Sequence, residues 1–153
     1  MLRVSKFLKF ATNTVGNGLQ LSLLSSHESF LTKFPIKSVT LPGSEGYFTV
    51  TQGHSPLLST LKPGIISISA QDSNEVTKYF ISSGFFVYRQ SDNTNSAEVV
   101  GVEIVPLDHL DKERATSVLQ EVLAESQNSS DPWAKVKSFL AQDLCSSIIK
   151  AVQ

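Results

Sequence analysis

Leu19, Leu21 and Leu23 alternate with Gln20 and Ser22, the period of two that turns one face of a strand into a core. Ile36, Val39 and Leu41 predict a second strand, and 47–51 a third. Ile65, Ile66 and Ile68 mark a fourth over 65–69, directly after Pro63-Gly64. Asp72-Ser73-Asn74-Glu75 is a turn cluster, and 76–82 pairs back across it. A further hairpin joins 85–89 to 98–105 around Ser91-Asp92-Asn93-Thr94-Asn95. Short strands at spacings of roughly 8–12 residues predict a sandwich or barrel.

The period changes after Pro106. Asp108 is placed to cap a helix, with Asp111 in the capping-box position. Ala115, Val118, Leu119, Val122 and Leu123 form a helical stripe that ends at Gln127-Asn128-Ser129-Ser130. Asp131 at the N-cap and Pro132 behind it start a second helix. Its stripe is Trp133, Val136, Leu140, Leu144, Ser147, Ile148 and Ala151. Two helices joined by so short a loop are expected to pack antiparallel, stripe against stripe.

The chain opens differently. Arg3, Lys6 and Lys9 precede any carboxylate, and on a helical projection they lie opposite Val4, Phe7, Leu8, Ala11 and Val15. A basic, acid-free amphipathic segment predicts a mitochondrial import leader over 1–17, closed by Gly16-Asn17-Gly18. The remaining divisions are a β-sandwich domain over 18–105 and a helical hairpin over 106–153. The fold class is therefore α+β, mostly β.

Composition narrows the function. A net charge of −1 gives no reason to expect a nucleic-acid partner. The single Cys145 excludes an internal disulfide and a cysteine zinc site. It sits among Leu144, Ile148 and Ile149 as a small, half-buried residue. Neither a Gly-rich phosphate loop nor a nucleophile motif is present. His54 has no second His, Cys or carboxylate at ligand spacing, so it reads as a turn histidine that bonds loop backbone or a partner. Catalytic, cofactor and metal assignments are accordingly none.

Tight turns at Pro42-Gly43, at Gln52-Gly53-His54 with Pro56, and at Lys62-Pro63-Gly64 carry the most information. Leu41-Pro42-Gly43-Ser44-Glu45-Gly46 is followed by Gly53-His54-Ser55-Pro56-Leu57-Leu58 and Leu61-Lys62-Pro63-Gly64. Ser83-Gly84-Phe85-Phe86-Val87 and Leu110-Asp111-Lys112-Glu113-Arg114-Ala115 come next. In this order the landmarks resemble the small central-stalk subunit of the rotary ATP synthase, called ε in bacteria and δ in mitochondria. Gln52 stands where many members carry Pro, and Tyr47 where the residue is often acidic or small.

That resemblance implies a flattened two-sheet sandwich followed by an antiparallel helical hairpin. It implies a non-catalytic rotor part that couples the γ subunit to the membrane c-ring and meets the small mitochondrial epsilon subunit. The place implied is the matrix side of the mitochondrial inner membrane. Ser44, Glu45, Tyr47, Gly53, His54 and Ser55 are the expected ring-facing residues, with Tyr47 either an interface anchor or a rim residue. In some bacterial members the Asp111 and Arg114 positions help bind ATP. Here the helix beyond Arg114 offers Glu121 and Glu125, and the second helix carries Lys135, Lys137 and Lys150 but no Arg. A local Asp111–Arg114 pair at the helix start is the plainer reading. The alternatives from other classes are a regulatory subunit whose hairpin blocks hydrolysis, and a β-sandwich module for a small ligand.

Overall fold

Inward apolar side chains alternate along nearly every strand of the computed structural model, which describes residues 18–91, 94–128 and 131–153. The leader expected over 1–17 lies outside the described residues. The order is β1 (Leu19–Ser25), β2 (Ser29–Gly43), β3 (Gly46–Thr51), β4 (Leu57–Leu61), β5 (Gly64–Ala70), β6 (Val76–Ile81), β7 (Gly84–Ser91), β8 (Thr94–Gly101) and β9 (Ile104–Pro106). A 3-10 turn (Leu107–His109), α1 (Lys112–Asn128) and α2 (Pro132–Ala151) follow.

The strands form one hydrogen-bonded network folded into two layers. Its path is β1-β8-β7-β4-β2-β5-β6-β9, with β3 added to β2 and β1 also paired to β2. β2 makes this possible. Its first half pairs with β1, from Leu24 with Ser29 to Leu19 with Ile36. Its second half pairs with β3 and β5. A bulge in the β1–β2 ladder marks the bend, and Lys33 there has φ of 50°. The Lys33 amide donates to Ser22 Oγ at 3.2 Å, which holds the irregular backbone. Leu21, Leu23, Val39, Leu41, Val50, Ile66, Ile81, Phe86 and Val99 are fully enclosed between the layers. Burial on this scale is the main favourable contribution to folding.

The observed sandwich and C-terminal hairpin agree with the sequence-based fold class, and four local expectations are corrected. The strand expected over 98–105 is two, β8 and β9. Gly101 has no space for a Cβ against Ile104, and Val102 and Glu103 make the break, bonding back to Ser83 and Ser82. The turn-rich stretch before Pro63 contains β4, which pairs with β7 far along the chain. Asp108 does not cap α1. It lies in the 3-10 turn, closed by the Leu110 amide on the Leu107 carbonyl, so α1 starts later, on Asp111. On α2 the expected stripe splits. Trp133, Val136 and Leu140 are exposed, while Ser138 and Cys145 are buried. The small residues Ala134, Ser138, Ala141 and Cys145 recur at helical spacing and form the packed face, because they let the helix axes come close. α2 packs along α1 and touches the sandwich at β5.

Candidate functional site

The Pro-Gly turns interlock at one end of the sandwich. Ser44 and Glu45 form the tip between β2 and β3, where Gly43 pairs with Gly46. Gly46 has φ of +136°, a region that favours glycine. The Lys62 amide donates to the Pro42 carbonyl at 2.9 Å, tying the first Pro-Gly turn to the last. Tyr47 leans over both, and its hydroxyl accepts from the Ile65 amide at 3.1 Å. Beneath it a Cβ on Gly64 would stand 2.8 Å from Pro42 Cβ and 2.8 Å from the Tyr47 hydroxyl. Glycine is required there by contact, not by φ. Tyr47 still exposes 62% of its surface, so the same ring braces the turns and faces outward.

His54 sits in a second cluster. Gly53 has φ of +82° and turns the chain out of β3. The His54 amide donates to the Thr51 carbonyl at 3.4 Å, and Nδ1 donates to the Ser55 carbonyl at 3.0 Å. The imidazole meets the Tyr88 ring edge-on, with centroids 6.1 Å apart. Tyr88 is buried, and its hydroxyl donates to Asn95 Oδ1 at 3.2 Å. His54 is thus a lid over a closed aromatic and amide pair. Asn95 was legible only as a turn residue; it is a buried partner at the start of β8.

The two clusters do not share an end. β3 runs between them with 6 residues, about 17 Å at strand rise. Ser44, Glu45 and Tyr47 belong to the Pro-Gly end, whereas Gly53, His54 and Ser55 belong to the opposite one. The expectation of one ring-facing end holding both loops is corrected on this ground: consecutive turns of an up-and-down ladder fall on alternate ends.

In the hairpin, Asp111 Oδ1 accepts from the Arg114 amide at 3.0 Å. Its carboxylate caps α1 through the backbone, and the Arg114 side chain is exposed. Asp131 accepts from the Trp133 and Ala134 amides at 3.2 and 3.3 Å, the cap that the Asp-Pro pair implied. Among the described residues no group of three His, Cys, Asp or Glu is placed to hold a metal. The resolved titration shifts are upward for the Tyr79 phenol and the Cys145 thiol, both caused by burial. Neither shift belongs to a cluster of acid and base groups.

An apolar surface that the sequence pattern did not single out lies on the outer face of the β1-β8-β7-β4 layer. Register places Leu24, Val100, Phe85 and Thr60 in one row across four strands, and Ser22, Glu98, Val87 and Leu58 in the next. Phe85 is 56% exposed and Leu58 71%. Arg89 and Glu98 form an ion pair at 3.0 Å on this layer. α2 lies on β5, in the other layer. The signal was in β7, where Phe85-Phe86-Val87-Tyr88 is apolar on both faces, the composition of a strand covered on both sides. A second exposed apolar line, Trp133, Val136, Phe139 and Leu140, runs along α2.

Residues 18–99 match the family described as ATP synthase, Delta/Epsilon chain, beta-sandwich domain. The chain is 35% identical over 136 residues to the ATP synthase F(1) complex subunit delta, mitochondrial, of Dictyostelium discoideum, covering 88% of this chain and 77% of that one. It is 30% identical over 135 residues to the ATP synthase subunit delta, mitochondrial, of Schizosaccharomyces pombe, covering 88% and 78%. The ATP synthase epsilon chain of Brucella canis is 32% identical over 119 residues, covering 78% and 86%. Among solved structures, a chain in the Euglena gracilis mitochondrial ATP synthase (OSCP/F1/c-ring, rotational state 1) superposes with a TM-score of 0.80 at 26% identity, covering 94% of this chain and 87% of that one. A chain of the Tetrahymena thermophila mitochondrial ATP synthase central stalk and c-ring shares the fold, with a TM-score of 0.67 at 15% identity, over 92% and 100%.

Proposed function

The chain belongs to the ATP synthase delta/epsilon chain family, and from that membership we propose that it is the central-stalk subunit coupling γ to the c-ring during rotation. It is a component of the ATP synthase complex, without a catalytic step of its own. Its proposed place is the matrix side of the mitochondrial inner membrane, peripheral to the bilayer through the c-ring.

The observation that carries this reading is the interlocked Pro-Gly end. A part that transmits torque needs turns that keep their shape under load. Here neighbouring turns are joined by the Lys62–Pro42 and Ile65–Tyr47 hydrogen bonds and leave no space at Gly64. The Pro-Gly end, with Ser44, Glu45 and Tyr47 outermost, is the proposed ring contact. The Phe85 and Leu58 face supplies a broad apolar surface for γ, of the kind that monomers rarely leave uncovered. The outward line of Trp133 and Phe139 on α2 suits the small epsilon subunit, since aromatic anchors dominate interface energetics.

Membrane complexes resolved on a native gel and identified by mass spectrometry test the assignment. The chain is expected in the band that holds γ and the c-ring. Recovery only as a free monomer, with the complex assembled without it, would overturn the reading.

A further inference from the structure

The core runs out of bulk at the end of the sandwich away from the Pro-Gly turns. Along β5 the inward row is Ile66, Ile68 and Ala70, and along β6 it is Ile81, Tyr79 and Thr77. Register sets Tyr79 opposite Ile66 and the smaller Thr77 opposite Ile68. Side chains shrink along both rows, and the layers are left with an open cleft of about 590 Å³. Leu31 and Phe34, opposite the buried Leu23 and Leu21, line it from β2. With Ile68 and Tyr79 they make an apolar floor, and Phe30 meets the Tyr79 ring edge-on. Small-molecule clefts span roughly 300–1,000 Å³, so one compact ligand suits this volume.

The charges at the mouth have one sign. Asp72 and Glu75, in the turn between β5 and β6, both line the cleft, and neither Lys nor Arg is among the described residues that do. The basic residues nearby are turned to other surfaces. Lys78 stands opposite Ser67 on the outer face of the layer. Lys33, at the bulge of β2, is exposed and outside the lining. Lys37 lines a separate polar recess with Asp72, Ser73 and Asn74, so Glu75 is the carboxylate that belongs to the cleft alone. Among the described residues neither Asp72 nor Glu75 forms an ion pair, and the half-buried Tyr79 phenol has no hydrogen-bond partner. Aromatic faces attract cations, carboxylates accept their charge-assisted hydrogen bonds, and an apolar floor favours an apolar body.

We propose that this cleft binds a small amphiphilic amine, a free organic cation with a single apolar body. The body lies on Leu31, Phe34 and Ile68, and the ammonium group sits at the mouth beside Glu75 and Asp72. Body and head then point in opposite directions, as floor and mouth do. A carboxylate on the same body would meet like charge. The site is separate from the surfaces assigned to γ, the ring and the small epsilon subunit, and it does not rest on the stalk reading.

Three probes with nearly the same apolar body and different charge test it: octylammonium, 1-octanol and octanoate. Each is titrated, below its aggregation concentration and near neutral pH, into the full chain labelled with nitrogen-15, and amide shifts are followed. Saturable shifts are expected at Ile68, Gln71, Glu75 and Thr77. Octylammonium is expected to bind about tenfold more tightly than 1-octanol, the combined effect of two partly exposed charge contacts and a ring face, with octanoate weakest. Asp72→Asn combined with Glu75→Gln is expected to bring octylammonium to the affinity of 1-octanol while leaving 1-octanol unchanged. Both residues are exposed, so amide dispersion elsewhere should match the parent's. The absence of saturable shifts at the cleft, or shifts confined to the Phe85 and Leu58 face, would overturn the proposal. So would octanoate or 1-octanol binding as tightly as octylammonium, or a preference for the cation that survives the double substitution.

Discussion

Gly64 shows how much one missing carbon can decide. A Cβ there would enter the van der Waals space of Pro42 and the Tyr47 hydroxyl. Gly64→Ala is expected to destabilise the chain by about 1–3 kcal/mol, the usual cost of overpacking. Tyr47→Phe, which leaves the Ile65 amide without its partner, is expected to cost about 1 kcal/mol. Urea unfolding of both variants measures the difference. The sequence marked Pro63-Gly64 as a turn but could not show that Tyr47 closes over it, because that contact crosses strands. A pH effect belongs to this scale too. Burial lifts the Tyr79 phenol above its ordinary 10.0, and the Cys145 thiol above 9.0. Each folded group keeps a proton that the unfolded chain has already released. Stability from both is full below those values and is lost as pH rises through the folded ones. Urea midpoints between about pH 8 and 11 should therefore fall with pH. The slope should be shallower in Tyr79→Phe.

Among the elements, the strands with strict alternation were the legible ones. β1 and β5 each set a clean inner row against a mostly polar outer one, broken by Leu24 and Ile65, and both were found where expected. β4 and the split of β8 from β9 were not visible, since each depends on a distant partner and not on local period. The caps were half legible. Asp-Pro announces α2 without ambiguity, whereas Asp108 and Asp111 compete for α1, and a 3-10 turn decides between them. Asp131→Ala is expected to destabilise the hairpin by about 1 kcal/mol, the usual worth of an N-cap. Circular dichroism under thermal unfolding measures it. Trp133→Ser should leave the isolated chain's stability within about 0.5 kcal/mol, because the ring is 73% exposed. Its apolar area matters only against a partner. The same measurement separates the two roles.

For the whole molecule, the uncovered faces define what it can join. Sequence landmarks led correctly to the family, yet they mark positions one at a time and do not show which side chains adjoin on a common face. Phe85 and Leu58 became visible only when strand register placed them in adjoining rows. Phe85→Asp is expected to leave the chain folded, with a urea midpoint close to the parent's. It should prevent recovery in the complex, because a carboxylate would then have to be desolvated against an apolar partner. A variant that both folds and assembles at the parental level would show that the γ contact lies elsewhere.

The parallel pairing of β1 with β8, Leu19 opposite Asn95 and Ser25 opposite Gly101, also sets a timetable. A chain that enters a compartment with its N-terminus leading presents β1 first. β1 can zip to β2 at once, but its other edge has no partner until Gly101 has arrived. Closure must wait for nearly the whole sandwich sequence, and the loop-closure entropy of that late contact makes it slow. Refolding followed by stopped-flow fluorescence of Tyr and Trp133 should show one slow principal phase. Shortening the protein to end before β8 should abolish the cooperative transition entirely, and not merely weaken it. Until that strand arrives, the free edge of β1 is the part of the newcomer most open to a wrong partner, and the interval in which chaperones have something to hold.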